Sequence, residues 1–255
     1  MKIAVISDIH SNLSALQAVL ADIDTRKVDQ IICLGDVLGY GPQPCECLDL
    51  VMQRCSVCLC GNHDQAVFLE PSNFNVAAET ACYWTRRQLE LDVDSPNRKA
   101  RWDFLGKLPL RHEIGRMLFV HGSPRRPVNE YLFPEDAYSN PSKLISNFER
   151  MGEKQACFVG HTHVPGIFYD DPYFEPPDEL TEPFRYEICE FERAIINVGS
   201  VGQPRDRDPR ASYVIITDDL VEFLRVEYQV EQTAELIRGN AELDQFLAER
   251  LIDGR

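Results

Sequence analysis

Residues 2–36 read KIAVISDIHSNLSALQAVLADIDTRKVDQIICLGD, and this stretch decides the fold. KIAVIS and QIICLG are near-continuous apolar runs of strand length, as expected of strands buried on both faces. Between them Leu13, Leu16, Leu20 and Ile23 recur at helical spacing, with Asn12 placed to cap the first turn. Runs of the same kind return downstream as SVCLC, MLFVHG, ACFVG, AIINVG, SYVIIT and VEFLRVEY. Residues 65–106 lack strand alternation and carry TACYWTRRQLEL, which predicts a helical excursion; a second helical stretch is expected from Pro141 to Lys154. Strands alternating with helices early and following one another late predict an α/β sandwich of layers with mixed sheets, in one domain over 1–255.

The chemistry-bearing residues gather after these runs. Asp8 and His10 follow the first and Asp36 follows the second; Asn62 and His63 follow SVCLC, His121 ends MLFVH, and His161 and His163 follow ACFVG. Residues two apart on an extended strand end point the same way, which pairs Asp8 with His10 and His161 with His163. The carboxyl ends of strands form the ligand crevice of open α/β sheets. A lone histidine after a strand is usually structural, but five of the six histidines here share that position.

Seven candidate ligands result: Asp8, His10, Asp36, Asn62, His121, His161 and His163. Mixed imidazole and oxygen donors suit Zn, Fe, Mn or Ni. Seven are too many for one catalytic ion with a coordination position left for water, whereas two ions sharing one carboxylate fit. The cysteines read differently. Only Cys55 and Cys58 have knuckle spacing, and SVCLC has the look of a buried strand in which cysteine is a small apolar residue.

In this order, the motifs DxH, GDxxG, GNHD, HG and GHTH resemble the calcineurin-like metallophosphoesterase superfamily. NVGSVGQPRDRDPR further resembles a block of its small bacterial and archaeal phosphoesterases. The resemblance implies a four-layer α/β/β/α sandwich with two mixed sheets and the metal site at the strands' carboxyl ends. It implies that Asp8, His10, Asp36 and His163 hold one ion, with Asp36 bridging to a second completed by Asn62, His121 and His161. Two such ions, about 3.5–4 Å apart, would clamp a phosphoryl group and activate a bridging hydroxide for in-line attack. His63, beside Asn62, is then placed to protonate the leaving oxygen. Among the arginines past the metal motifs (Arg125, Arg126, Arg205, Arg207 and Arg210), Arg205 is the expected phosphate ligand, because Gly199, Gly202 and Pro204 mark a tight loop before it. One departure concerns GDxxDRG of the protein phosphatases, whose second Asp supports the catalytic His and whose Arg grips phosphate. Gly39 and Tyr40 stand there, which weakens a protein-phosphatase reading and leaves His63 without an assigned support.

The expected activity is hydrolysis of a small phosphate ester, with a phosphodiester of a small molecule or nucleotide ahead of a phosphomonoester or phosphoprotein; the competing class is a non-catalytic scaffold of the same fold. Charge bears on the partner. The chain has 26 Lys and Arg against 41 Asp and Glu, net −15, which argues against gripping nucleic acid. Residues 170–192 carry nine acids and one base, and 218–255 ten acids and four bases, so the part that bears the motifs is nearly neutral. The first of these reads as an irregular acidic, proline-rich surface excursion, the second as a strand and a docked helical tail. The first apolar run is too short for a signal-peptide core, no stretch approaches the roughly 18 apolar residues of a membrane span, and nine cysteines fit a reducing compartment. A cytoplasmic enzyme without membrane or stable nucleic-acid partners is expected, with self-association into a homo-oligomer left open.

Overall fold

The computed structural model describes residues 1–177 and 183–255. Strand β1 (Lys2–Ile6) leads through helix α1 (Leu13–Arg26) to β2 (Gln30–Cys33), then through α2 (Pro44–Arg54) to the short β3 (Val57–Cys58). These three run parallel, with Val5 opposite Ile32 and Cys33 opposite Cys58. The Asn12 side chain caps α1 by accepting from the Ala15 N–H at 3.2 Å, as its position predicts. Three antiparallel neighbours, β11 (Ala211–Thr217), β12 (Leu220–Val226) and β9 (Arg185–Glu187), complete a six-stranded mixed sheet.

A second six-stranded mixed sheet has β5 (Met117–Val120), β6 (Ala156–Val159) and β10 (Ala194–Asn197) parallel at its centre. Strands β4 (Arg111–Ile114), β7 (Gly166–Tyr169) and β8 (Tyr173–Glu175) flank them antiparallel. Side-chain alternation sorts the core into layers. Ile3, Val5, Ile32, Phe119, Phe158, Ile196 and Val214 fill the space between the sheets. Ala4, Ile6, Ile31 and Ile215 face outward onto α1 and α2, and Leu118, Val120, Cys157 and Ile195 onto α7 (Pro141–Met151). Both faces of each central strand are therefore apolar, the physical reason for its unbroken hydrophobic run, and the result is the four-layer sandwich.

Residues 62–105 hold three helices, α3 (Asn62–Phe68), α4 (Val76–Leu91) and α5 (Arg98–Leu105), and the tail adds α8 (Val230–Arg238) and α9 (Phe246–Asp253). The tail packs Ala234, Ile237, Leu247 and Leu251 against Ala78, Ala81 and Trp84 of α4 and against Tyr40. The stretch 170–192 departs from the irregular surface expected of it. Residues 178–182 lie outside the described residues, but β8 and β9 lengthen one sheet each. Each is three residues long and buries one side chain, Phe174 or Tyr186, too little for a periodic signal. Strand β4 is missed for a similar reason: RHEI is half exposed along its length and lies at a sheet edge.

Candidate metal centre

The loops that leave the parallel strands converge on one buried cluster. The Asp8 N–H donates to Gly35 O at 3.0 Å and the His10 N–H to Asp36 O at 3.0 Å, tying the β1 and β2 loops together. Across the two sheets, the His161 N–H donates to Asp8 Oδ2 at 2.9 Å, and within the second sheet the Gly160 N–H donates to His121 O at 2.9 Å, joining the β6 and β5 loops. The approach is close. A Cβ at Gly160 would lie 2.3 Å from Asp8 Oδ2, and one at Gly61 would lie 2.0 Å from Asp36 Oδ1. Asp8, His10, Asp36, His161 and His163 all have φ between +48° and +68°, a conformation uncommon for residues with a Cβ. Such strain gathers where surrounding structure over-determines a functional geometry.

All seven candidate ligands are brought together and buried. On one side, His163 Nε2 stands 3.1 Å from Asp8 Oδ1 and 3.2 Å from His10 Nε2. The outer nitrogens fix the tautomers: His10 Nδ1–H donates to Leu38 O at 3.0 Å and His163 Nδ1–H to Gln203 O at 2.6 Å, because a carbonyl can only accept. Both neutral rings then aim Nε2 lone pairs at one another, beside an Asp8 Oδ1 that has no hydrogen-bond partner among the described residues. On the other side, His121 Nε2 lies 3.1 Å from Asn62 Oδ1, 3.1 Å from His161 Nδ1 and 3.4 Å from Asp36 Oδ2. Asp36 Oδ2, likewise unpartnered, is also 3.7 Å from His10 Nε2 and so stands between the two groups. Lone pairs facing lone pairs in a buried site are the arrangement that a cation relieves, so these residues fit metal binding.

The titration behaviour carries the same imprint. Burial pushes His10 well below the ordinary imidazole value, His161 down to about 3 and His63 down to about 4, which leaves those rings neutral, the form that binds metal. Burial opposes charge on Asp8 and Asp36 as well, but His163 beside the first and His121 beside the second hold both carboxyls low. His121 moves the other way: burial disfavours its charge, yet Asp36 against the ring raises it to about 9.

His63 borders this cluster, with a ring nitrogen within 4.8 Å of ligand atoms on His10 and Asp36. Its N–H donates to Asp36 Oδ1 at 2.8 Å, and its ring packs against Tyr40, His10 and Phe74 at 4.4–4.8 Å between centroids. Its Nδ1 lies 3.5 Å from Cys82 Sγ. Asp64 does not touch that imidazole. Its carboxylate accepts the N–H groups of Asp36, Leu38 and Gly61 at 2.8–3.2 Å and so buckles the β2 loop to the start of α3. Arg205 reaches the cluster through its backbone, donating to His163 O at 3.2 Å, and sets its guanidinium 5.9 Å from the Tyr40 ring. Arg125 is instead engaged by Glu130, and Arg210 by Asp208. Arg207 holds φ +70°, the left-handed backbone that glycine adopts without cost. Among the described residues no cysteine joins the candidate metal groups; Cys58 and Cys60 are buried.

Beside the cluster opens a cleft of about 340 Å³, lined by Tyr40, His63, Phe74, Asn75, Asn129 and Tyr131 among others. Tyr131 stacks on His161, ring centroids 3.7 Å apart. Apart from His63, these cleft residues carry no motif; they come from loops and helix starts that only folding brings to the metal groups.

Three comparisons complete the picture. A domain described as the calcineurin-like phosphoesterase superfamily domain matches residues 1–220. The uncharacterized protein MJ0912 of Methanocaldococcus jannaschii is 39% identical, over 99% of this chain and 98% of its own. The crystal structure of a metallophosphoesterase from Sphaerobacter thermophilus is 40% identical over 100% of both chains, with a TM-score of 0.83. A hypothetical protein of Pyrococcus horikoshii, PH1004, shares the fold at 18% identity, covering 100% of this chain and 98% of its own, with a TM-score of 0.75. Among the described residues no helix is long and apolar enough to cross a membrane.

Proposed function

The chain belongs to the calcineurin-like phosphoesterase superfamily and is a metal-dependent phosphoesterase; from that premise we propose that it works with two ions on a small phosphodiester. The observation that carries this reading is Asp36 Oδ2, unpartnered and standing between His10 Nε2 at 3.7 Å and His121 Nε2 at 3.4 Å. Asp8, His10 and His163 would hold one ion, Asn62, His121 and His161 the other, with Asp36 shared. When bound, such ions supply Lewis acidity toward the phosphoryl oxygens and an activated water as nucleophile.

The chain's own residues do the rest. His63, at the edge of the cleft and neutral when buried, is the proton donor to the leaving oxygen in its protonated form; Tyr40 and Phe74 hold its ring in place. Arg205 offers its guanidinium to phosphate oxygens. The cleft offers amides and aromatic faces, with Glu70 as its one carboxylate, which suits a leaving group that is uncharged and hydrogen-bonding, as in a nucleoside or sugar diester. Mn, Fe, Zn and Ni all suit the donor set. The test is hydrolysis of bis-p-nitrophenyl phosphate and p-nitrophenyl phosphate by metal-stripped protein reloaded with each ion, alongside metal content per chain. We expect two ions and faster turnover of the diester. A protein inert on both esters with every metal would refute the hydrolytic reading, and a single ion at full activity would refute the two-ion one.

A further inference from the structure

Gly39 and Tyr40 stand where a carboxylate and an arginine would otherwise support His63, and no side chain fits at the first of these places. Gly39 holds φ +87°, and a Cβ on it would lie 2.5 Å from His63 Nδ1. The imidazole edge fills the space that such a side chain needs, so a partner for Nδ1 has to come from another element. It comes from α4. Cys82 lies in the buried stripe that this helix turns inward, with Ala78, Ala81, Thr85 and Leu89, and its Sγ stands 3.5 Å from His63 Nδ1. That separation is within reach of a hydrogen bond to sulfur. Among the described residues it is the one hydrogen bond the His63 ring makes; Tyr40, His10 and Phe74 pack around the ring without one.

Cys82 is 1% exposed, so no ester reaches its sulfur and a role as nucleophile is closed to it. Burial also pushes the thiol up, which keeps it neutral. What remains is its contact with the imidazole. A neutral sulfur is a weak acceptor, but the hydrogen bond at one ring nitrogen sets which nitrogen carries the proton and how the ring is turned.

We propose that Cys82 is the positioning residue of His63: its sulfur accepts Nδ1–H, which fixes the tautomer and leaves Nε2 to face the leaving oxygen. The proposal rests on the reading of His63 as proton donor. In the step it serves, the P–O bond to the leaving group breaks with its electron pair passing to that oxygen, which takes the Nε2 proton. The imidazolium becomes a neutral ring that keeps Nδ1–H on the sulfur, and Nε2 regains its proton from water.

The test compares wild type, Cys82→Ala and Cys82→Ser as zinc-loaded full chains in two measurements. The first is the tautomer of His63, read from long-range proton–nitrogen spectra of protein with isotope-labelled histidine and assigned by the signal that His63→Asn lacks. We expect Nδ1–H in wild type and in Cys82→Ser, whose hydroxyl also accepts, and its loss in Cys82→Ala. The second is kcat on methyl phenyl phosphate and on methyl p-nitrophenyl phosphate, whose leaving oxygen needs little help from a proton. Cys82→Ala should lose about tenfold on the phenyl ester and about twofold on the nitrophenyl ester, with KM and metal content held, and Cys82→Ser should stay within about threefold of wild type on both. An unchanged tautomer in a folded Cys82→Ala, or equal losses on the two esters, overturns the proposal, because a core-packing role moves neither the tautomer nor the ratio. Should Cys82→Ala not fold, Cys82→Val, close in volume and without a polar hydrogen or acceptor, decides by the same criteria. A tautomer that depends on Cys82 in a wild type inert on every ester would leave the positioning contact standing and refute the hydrolytic reading.

Discussion

The two halves of the candidate metal centre are built differently. In the half made by Asp8, His10 and His163, both imidazoles are locked from behind by main-chain carbonyls, so their Nε2 lone pairs have one direction to point. In the half made by Asn62, His121 and His161, the outer ring nitrogens His121 Nδ1 and His161 Nε2 have no partner among the described residues, and His161 is held by stacking under Tyr131, a residue 38% exposed on the cleft. The first half is a pre-organised socket, whereas the second pairs a neutral amide with two rings that lack such main-chain anchors, beside the cleft. Outer-sphere anchors of this kind are typically worth 10–100-fold in metal affinity, so the two halves should hold their ions unequally.

Removing the carboxylate they share should have the largest effect. Asp36→Asn is expected to cut kcat/KM by about 10³ or more, roughly 4 kcal/mol of transition-state stabilisation, and to lower metal content in both halves. Retention of either ion at wild-type affinity would break the view of Asp36 as common to both. Next, His163→Asn and His161→Asn separate the halves. With metal content followed during stepwise chelation, wild type should lose its first ion easily and its second about 10–100-fold less easily. In His161→Asn the weaker ion should be missing from the outset, while His163→Asn should abolish the stronger step. Equal release of both ions from wild type would erase the comparison.

Acidity gives a smaller, signed difference. His121 is raised to about 9 by Asp36, so the stability it contributes is fully present below its unfolded value near 6.5 and is lost as pH rises through about 9. Burial lowers His10, His63, His161 and His163, so their neutral forms cost stability only as pH falls below about 6.5, and they leave the upper window flat. Asp64, pushed up to about 7 chiefly by burial, adds a loss that is nearly complete by the start of that window. Metal-free protein should therefore lose stability on the order of 3 kcal/mol between pH 6.5 and 9. Thermal melting at stepped pH, with His121→Asn as the flat reference, checks this, and a slope that survives the substitution would remove His121 as its source. The smallest effect is expected of Tyr131→Ala. It frees His161 without touching the anchored half, and should raise KM a few-fold with about 1 kcal/mol or less lost; steady-state kinetics decide it.

Much of this molecule could be read from residue order because its chemistry follows its strands. Asp8, Asp36, His121 and His161 each sit one to three residues past an apolar run that becomes a parallel strand, and parallel strands deliver their carboxyl ends to one edge. Asn12 as a helix cap and the core role of Cys58 were equally local. Strands β8 and β9 were hidden, since a three-residue edge with one buried side chain has no period to detect. So was the role of Asp64, whose acceptors are chosen by backbone N–H groups 26 and 28 residues away on the β2 loop.

By itself, then, the order of residues determined the layered α/β class and the identity of the ligand types, because burial pattern and donor chemistry are properties of short segments. Only the tertiary structure decided which lone pairs face each other and which imidazoles are locked from behind. Those depend on contacts between segments 40 and 153 residues apart, and charge interactions follow distance in space rather than separation along the chain.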